Sequence, residues 1–201
     1  KRVNNIKIFA SVRNIENIKP ELLIIAKKYR VNLIEIDFDG RSIPKIPKNV
    51  DVIAHFASIA SPKFYLDYPT ETMISNSFGT FQLLEALKKR GNEASFIFIS
   101  SSEVYGASKS EFISEQDYGI LDPTNIRSCY AESKRFGETL AISFWKKYGT
   151  RVKIIRPFHT YGPGLKEGDG RVFADFAECV AKGNDIEMTS DGSAIRSFCF
   201  I

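Results

Sequence analysis

Ser95-Phe96-Ile97-Phe98-Ile99-Ser100 is an almost unbroken apolar run, and it passes directly into Ser101-Ser102-Glu103-Val104-Tyr105-Gly106. The run is too short for a core helix but suits a strand buried within a sheet. The hydroxyls and carboxylate that follow mark where that strand leaves the core. The same pattern recurs on either side. Ile6–Ala10, Val31–Asp37, Val50–His55 and Arg151–Arg156 are equally short, rich in Val, Ile and Phe, and bounded by polar or turn residues. Helical patterns lie between them. Pro20–Tyr29 opens on a proline, which a first helical turn accepts. Ser77–Arg90 carries Phe78, Phe81, Leu84 and Leu87 at helical spacing and ends on Lys88, Lys89 and Arg90. Tyr130–Tyr148 repeats the arrangement with Phe136, Leu140, Phe144 and Tyr148. Strands alternating with helices of this size predict right-handed crossovers and an α/β fold built on a doubly wound parallel sheet.

Beyond the last of these strands the character changes. Gly162–Gly170 reads as a glycine-rich loop, Arg171–Lys182 as a helix and Ile186–Met188 as a short strand. Ser190-Asp191-Gly192 reads as a turn and Ile195–Ile201 as an edge strand.

Composition narrows the function classes. A chain of 201 residues with 43% hydrophobic and 26% charged residues can bury a core without disulfides or metals, as one domain or slightly more. Its longest apolar runs, Leu22–Ala26 and Phe96–Ile99, are too short to span a bilayer, and no basic-then-apolar leader opens the sequence as read. The net charge of +4 is mild, and lysines pair at helix ends (Lys27–Lys28, Lys88–Lys89, Lys146–Lys147), so neither a membrane nor a nucleic-acid partner is expected. Three cysteines without metal-ligand spacing point to a reducing, cytoplasmic setting and to no metal site.

In doubly wound sheets, ligands sit beyond the carboxyl ends of the strands. Chemistry is therefore expected just after residues 10, 37, 55, 100 and 156. Ser101, Ser102 and Glu103 offer hydrogen-bond donors and an acid or base there, although such serines equally suit a solvated turn. Tyr130-Ala131-Glu132-Ser133-Lys134 puts a phenol and an ammonium on one helical face. A phenol titrates near ~10 when unperturbed, and an adjacent cation lowers that value toward a usable general base. Tyr105 and Lys109 share the spacing but sit in a loop after Gly106, whereas Tyr130 heads a long helix that follows the serine-bearing strand. Context favours Tyr130.

These residues, taken in order, resemble the extended short-chain dehydrogenases/reductases that act as nucleotide-sugar epimerases, dehydratases and decarboxylases. Asp37-Phe38 resembles the pair that faces the adenine. His55-Phe56-Ala57-Ser58 resembles the His-Leu-Ala-Ala strand end beside the cofactor, and Asn76-Ser77-Phe78-Gly79-Thr80 the Asn-x-x-Gly-Thr helix. Ser100–Gly106 resembles the active-site strand end, and Tyr130 with Lys134 the catalytic pair. Arg156-Pro157-Phe158-His159-Thr160-Tyr161-Gly162-Pro163 resembles the segment joining cofactor and substrate regions. Asp169-Gly170-Arg171-Val172 and Arg196-Ser197-Phe198 resemble elements whose arginines hold the diphosphate.

The resemblance implies a Rossmann-like sheet over residues 1–162 and the beginning of a small substrate lobe over 163–201. It implies that Tyr130, Lys134, Ser101 and Glu103 are catalytic. NAD would be bound by Asp37, Phe38, Phe56, Ala57, Ser58, Asn76, Ser100 and Pro157, together with Tyr130 and Lys134. A nucleotide-diphosphate sugar would meet Ser102, Pro62, Tyr65, His159, Arg171 and Arg196, and the intact enzyme would be a homodimer. Tyr130 would take the proton of the sugar 4-hydroxyl as the 4-ketone forms, with Ser101 bonded to that oxygen. Decarboxylation, 4,6-dehydration or 4-epimerisation could follow. Ser102 stands where dehydratases usually carry Asp, and Ser58–Tyr65 resembles the Ser-Pro-rich stretch of UDP-glucuronate decarboxylases, so decarboxylation is the expected outcome. A non-catalytic sugar-nucleotide binding protein and a small-carbonyl reductase are the rivals; intact Tyr130, Lys134 and Ser101 oppose the first, and Arg171 with Arg196 the second.

Three departures from the family pattern stand out. The first glycine is Gly40, so the glycine-rich turn of the first βα unit, and that unit itself, are expected to be missing from the sequence as read. Arg13 lies near the adenine ribose position in the absence of an acid, which keeps NADP open beside NAD. His159 stands where the family often has Asn.

Overall fold

The computed structural model describes residues 6–38, 42–108, 112–165, 167–188 and 190–201. Gly40 and Lys109 lie outside them. Strand β1 (Phe9–Val12) pairs in parallel with β2 (Asn32–Glu35), and α1 (Pro20–Lys28) is their crossover. A second parallel sheet has the order β3 (Val52–His55), β4 (Ser95–Ile99), β5 (Arg151–Ile155). Helices α2 (Pro62–Asp67) and α3 (Pro69–Lys89) link β3 to β4, and α4 (Ser128–Tyr148) links β4 to β5. A third parallel pair, β6 (His159–Tyr161) and β7 (Phe198–Phe200), brackets α5 (Val172–Lys182).

Parallel pairing with helical crossovers is the expected Rossmann-like pattern. Among the described residues β1 and β3 share no ladder. The 162/163 boundary is bridged by the β6–β7 pair, in which His159, Thr160 and Tyr161 stand opposite Phe198, Cys199 and Phe200.

Strand β4 organises the core. Phe96 and Phe98 are fully buried against Leu83, Leu84 and Leu87 of α3 and against Ala141 and Phe144 of α4. Helix α4 approaches this closely because Gly137 has no side chain; a Cβ there would collide with the Phe98 ring. Both α3 and α4 lie on the Phe96 face of the sheet. On β5, Arg151, Lys153 and Ile155 alternate outward and are exposed.

Several boundaries differ from expectation. The ladder of β1 begins at Phe9 rather than Ile6, where Asn32 secures it with both its backbone and side-chain N–H on the Ile8 carbonyl, at 2.8 and 3.0 Å. Helix α3 starts two turns before Ser77, since the inward residues there are polar. Thr72 and Asn76 are fully buried; the Thr72 hydroxyl donates to the Tyr68 carbonyl at 2.7 Å and the Asn76 amide N–H to the Ser133 hydroxyl at 2.9 Å. Pro62 heads helix α2. Ile186–Met188 forms no strand, because a three-residue segment needs a ladder partner of the kind β6 and β7 give each other.

Candidate active site

The exits of β3, β4 and β5 converge with the start of α4. The Ser100 N–H donates to the Ile155 carbonyl at 2.8 Å, and the Ser102 N–H to the Pro157 carbonyl at 3.0 Å, which stitches the β4 exit to the β5 exit. Ser101 is extended and caps the 3-10 turn Ser102–Tyr105, its hydroxyl accepting from the Glu103 N–H at 3.2 Å. Glu103 is thereby held half-buried one turn from the strand.

Tyr130 lies in the first turn of α4, 7% exposed. Its phenol faces the hydroxyls of Ser101 and Ser58 and lies within reach of the charges of Glu103 and Arg171. Burial raises its pKa above the ordinary tyrosine value and the Glu103 charge adds to that, while Ser101, Ser58 and Arg171 pull the other way. The cation expected to lower this phenol was Lys134; in this structure the lowering groups are two hydroxyls and Arg171, and burial outweighs them.

Lys134, one turn on, is 2% exposed. Its ammonium donates to the Ile99 carbonyl at 2.9 Å and stands 5.2 Å from the centre of the Phe98 ring and 5.7 Å from that of Tyr130. Burial lowers its pKa to about 8. His55, at the end of β3, is enclosed by Phe38, Phe96 and Phe98, and burial with the Lys134 charge lowers its pKa to about 3. It is a neutral packing residue.

Tyr65 projects from α2 onto Tyr130. The rings are 8° from parallel with centroids 5.2 Å apart, and Tyr65 is 2% exposed. Its carbonyl accepts from the Cys129 thiol at 3.6 Å, which ties α2 to the start of α4. Pro62 lies beside this pair at the first turn of α2. The Ser61 hydroxyl donates to the Asp169 carbonyl at 2.9 Å, and Asp169 pairs through both oxygens with Arg171. That contact carries Arg171 from the tail to the Tyr130 site.

The other expected residues divide clearly. Ala57 and Ser58 line the β3 exit, and Phe56 beside them is 71% exposed. Asn76, expected at the cofactor, is fully buried: it donates to Ser133, whose hydroxyl donates to the Tyr130 carbonyl at 2.8 Å. Phe38 packs inward on His55 and Gly79. Asp37 is half-exposed and faces Arg13 at 3.4 Å. His159 meets the Phe198 ring, with centroids 5.6 Å apart, and lines a small cavity with Arg171. Arg196 lies apart in an exposed stretch and donates to the Ile195 carbonyl at 2.9 Å.

One residue of the site, Glu138, escaped notice in the sequence, and so did its partnership with Arg156. Glu138 pairs with Arg156 through two hydrogen bonds, at 2.8 and 2.6 Å. The signal was present as the spacing Tyr130, Lys134, Glu138, which repeats every four residues along one stripe of α4.

Together these groups offer a phenol facing two hydroxyls, a buried ammonium and a nearby carboxylate. That set can move a proton to or from an alcohol oxygen. A dinucleotide fits the same place. Ser100 Oγ is buried without a partner, Lys134 retains two N–H groups beyond the one given to Ile99, and Phe56 offers an open aromatic surface.

Among the described residues no helix is long and apolar enough to cross a membrane. UDP-glucuronic acid decarboxylase 6 from Arabidopsis thaliana is 38% identical over 152 residues, which is 76% of this chain and 44% of that protein. The chain thus spans less than half the length of that relative. Among solved structures, a UDP-N-acetylglucosamine 4-epimerase from Methanobrevibacter ruminantium, in complex with UDP-N-acetylmuramic acid, superposes with a TM-score of 0.82 at 26% identity over 96% of this chain and 61% of that one. A UDP-glucuronic acid 4-epimerase from Bacillus cereus, in complex with UDP-glucuronic acid and NAD, shares the fold with a TM-score of 0.75 at 24% identity, over 96% of this chain and 61% of that one. The model of the NAD dependent epimerase/dehydratase family matches residues 8–201, and the chain belongs to that family.

Proposed function

We propose that this chain forms the catalytic part of an NAD-dependent enzyme that modifies a nucleotide-diphosphate sugar through a 4-keto intermediate, and that the reaction is decarboxylation of UDP-glucuronate. The observation that carries this is the Tyr130 phenol facing the Ser101 and Ser58 hydroxyls, with Lys134 on the same helix face and Glu103 alongside. The UDP-glucuronic acid decarboxylase relative supports the choice of sugar.

Tyr130 accepts the proton of the 4-hydroxyl, and Ser101 donates to the same oxygen as the ketone forms. Bound NAD would supply the acceptor for the C4 hydride and the donor that restores it. Lys134, anchored on Ile99, would hold the nicotinamide ribose with its remaining N–H groups while keeping its charge beside the Tyr130 ring. A ketone at C4 makes the C6 carboxylate that of a β-keto acid, so carbon dioxide leaves and an enolate remains across C4 and C5. Glu103 is the acid–base group placed to deliver the proton to C5. Ser102 is not acidic, which disfavours a water elimination. Asp37, Phe38, Phe56, Ala57, Ser58, Ser100 and Pro157 line the NAD cleft in this reading, with Asn76 acting from behind through Ser133. Tyr65, Pro62, His159, Arg171 and Arg196 serve the nucleotide sugar. Residues 1–162 make up the cofactor domain and 163–201 open the substrate lobe. The exposed Phe78, Phe81, Phe136 and Trp145 of α3 and α4 supply the apolar face of a homodimer in the cytoplasm.

Full-length protein incubated with NAD and UDP-glucuronate should release carbon dioxide and a UDP-pentose, and Tyr130→Phe should lower that turnover by roughly 10²–10⁴-fold. Turnover of dTDP-glucose or UDP-glucose, with UDP-glucuronate left intact, would overturn the decarboxylase assignment. Return of a C4-inverted hexuronate would identify a 4-epimerase built on the same three groups.

A further inference from the structure

Glu138 follows Lys134 by one helical turn, on the stripe of α4 that begins with Tyr130. Its carboxylate takes both donors of one edge of the Arg156 guanidinium, in a fork-to-fork pair whose side chains are 12% and 24% exposed. The same guanidinium lies over the Tyr105 ring, 4.9 Å from its centre. It also donates to the Glu115 carbonyl at 3.1 Å. Tyr105 is 4% exposed and stacks on Phe158, with centroids 6.1 Å apart.

These contacts meet at one element. Tyr105 closes the 3-10 turn that Ser101 opens, and Glu103 lies between them. One end of the turn is fixed by the hydroxyl that faces Tyr130. The other end is gripped by Arg156, which is itself fixed to the helix that carries Tyr130 and Lys134. Packing alone does not call for this arrangement, since apolar residues of similar volume serve a partly buried site at least as well as an ion pair. Beyond Glu138, Arg156 covers the Tyr105 ring of the turn and donates to the Glu115 carbonyl of the loop after it.

We infer that Arg156 and Glu138 are positioning residues that hold the Glu103 carboxylate in register with the Tyr130 phenol. The inference rests on the proposed role of Glu103 in the reaction.

A double-mutant cycle on the full-length enzyme with NAD tests it, using kcat for whichever nucleotide sugar the enzyme turns over. Glu138→Gln is isosteric and removes the charge. It should lower kcat roughly 10–100-fold in the wild-type background, as a small displacement of a reacting group does. In a Glu103→Gln background the same change should lower kcat less than about twofold, since the group it positions is already gone. Equal losses in both backgrounds would show a general structural role and overturn the inference. So would no loss in either, or a Glu103→Gln enzyme with undiminished kcat. Should Glu138→Gln not fold, Tyr105→Leu releases the turn while leaving the ion pair in place, and the same cycle applies to it. Because the cycle runs on any sugar the enzyme accepts, failure of the UDP-glucuronate assignment is read separately.

Discussion

The Lys134 ammonium and the Ile99 carbonyl are 2.9 Å apart, and this contact fixes the face of α4 against the carboxyl end of β4. The strand carries the serines and Glu103 out of the core just beyond that carbonyl, and the helix carries Tyr130 one turn before that ammonium. One hydrogen bond therefore sets strand exit and helix start in register. It also holds a charge where solvent is nearly absent, and the first prediction follows from that.

Lys134 is charged at neutral pH in both the folded and the unfolded chain, but burial depresses its folded pKa to about 8 from 10.5. The unfolded state binds the proton more tightly, so below pH 8 the folded state bears a penalty of about 3 kcal/mol. Stability rises with pH from about 8 to 10.5 as the folded state sheds the proton first. Lys134→Met should therefore be inactive when assayed with NAD, yet NAD-free it should be at least as stable as wild type at pH 7, even with about 1 kcal/mol lost at the Ile99 carbonyl. Urea unfolding at pH 7 and pH 10 measures it, and the advantage of the variant should shrink at the higher pH.

His55 gives the opposite limb. Its folded pKa is about 3 against 6.5 unfolded, because it is buried among aromatic rings and near the Lys134 charge. The unfolded chain takes up a proton below pH 6.5 that the folded chain refuses until about pH 3. Stability should fall across that window by about 1.4 kcal/mol per pH unit from this residue alone. His55→Gln, measured by denaturant titration between pH 4 and 7, should show a slope shallower by close to one proton.

Gly137 faces the Phe98 ring with no room for a methyl group. Gly137→Ala should destabilise by about 1–3 kcal/mol through overpacking, outweighing the better helix propensity of alanine. Adding Phe98→Leu should recover part of the loss, which thermal unfolding of the single and double variants would reveal.

The fold was legible where one physical signal dominated. Phe96 and Phe98 announce a buried strand by composition, and Phe144 with Leu140 announces the face of α4 by period. Tyr130 and Lys134 are legible because a fixed helical spacing fixes their side. Thr72 and Asn76 hid the first two turns of α3, since buried polar residues break the apolar stripe that marks a helix face. The Tyr65–Tyr130 stack was hidden because it requires α2, which short-range sequence signals do not distinguish from a loop. The Arg156–Glu138 pair joins residues 18 apart, and only the β5–α4 packing brings them together. The pKa of Tyr130 turned out raised for a related reason: spacing shows a nearby cation but does not show burial, and burial is the larger influence here.

The most direct test of a Tyr130-centred 4-keto reaction is the fate of deuterium at C4 of UDP-glucuronate. Full-length protein with NAD should convert the C4-deuterated sugar to carbon dioxide and a UDP-pentose that still carries deuterium at C4, with Tyr130→Phe nearly inactive. Loss of the label to water, or a recovered hexuronate with its carboxylate in place, would contradict the proposed reaction.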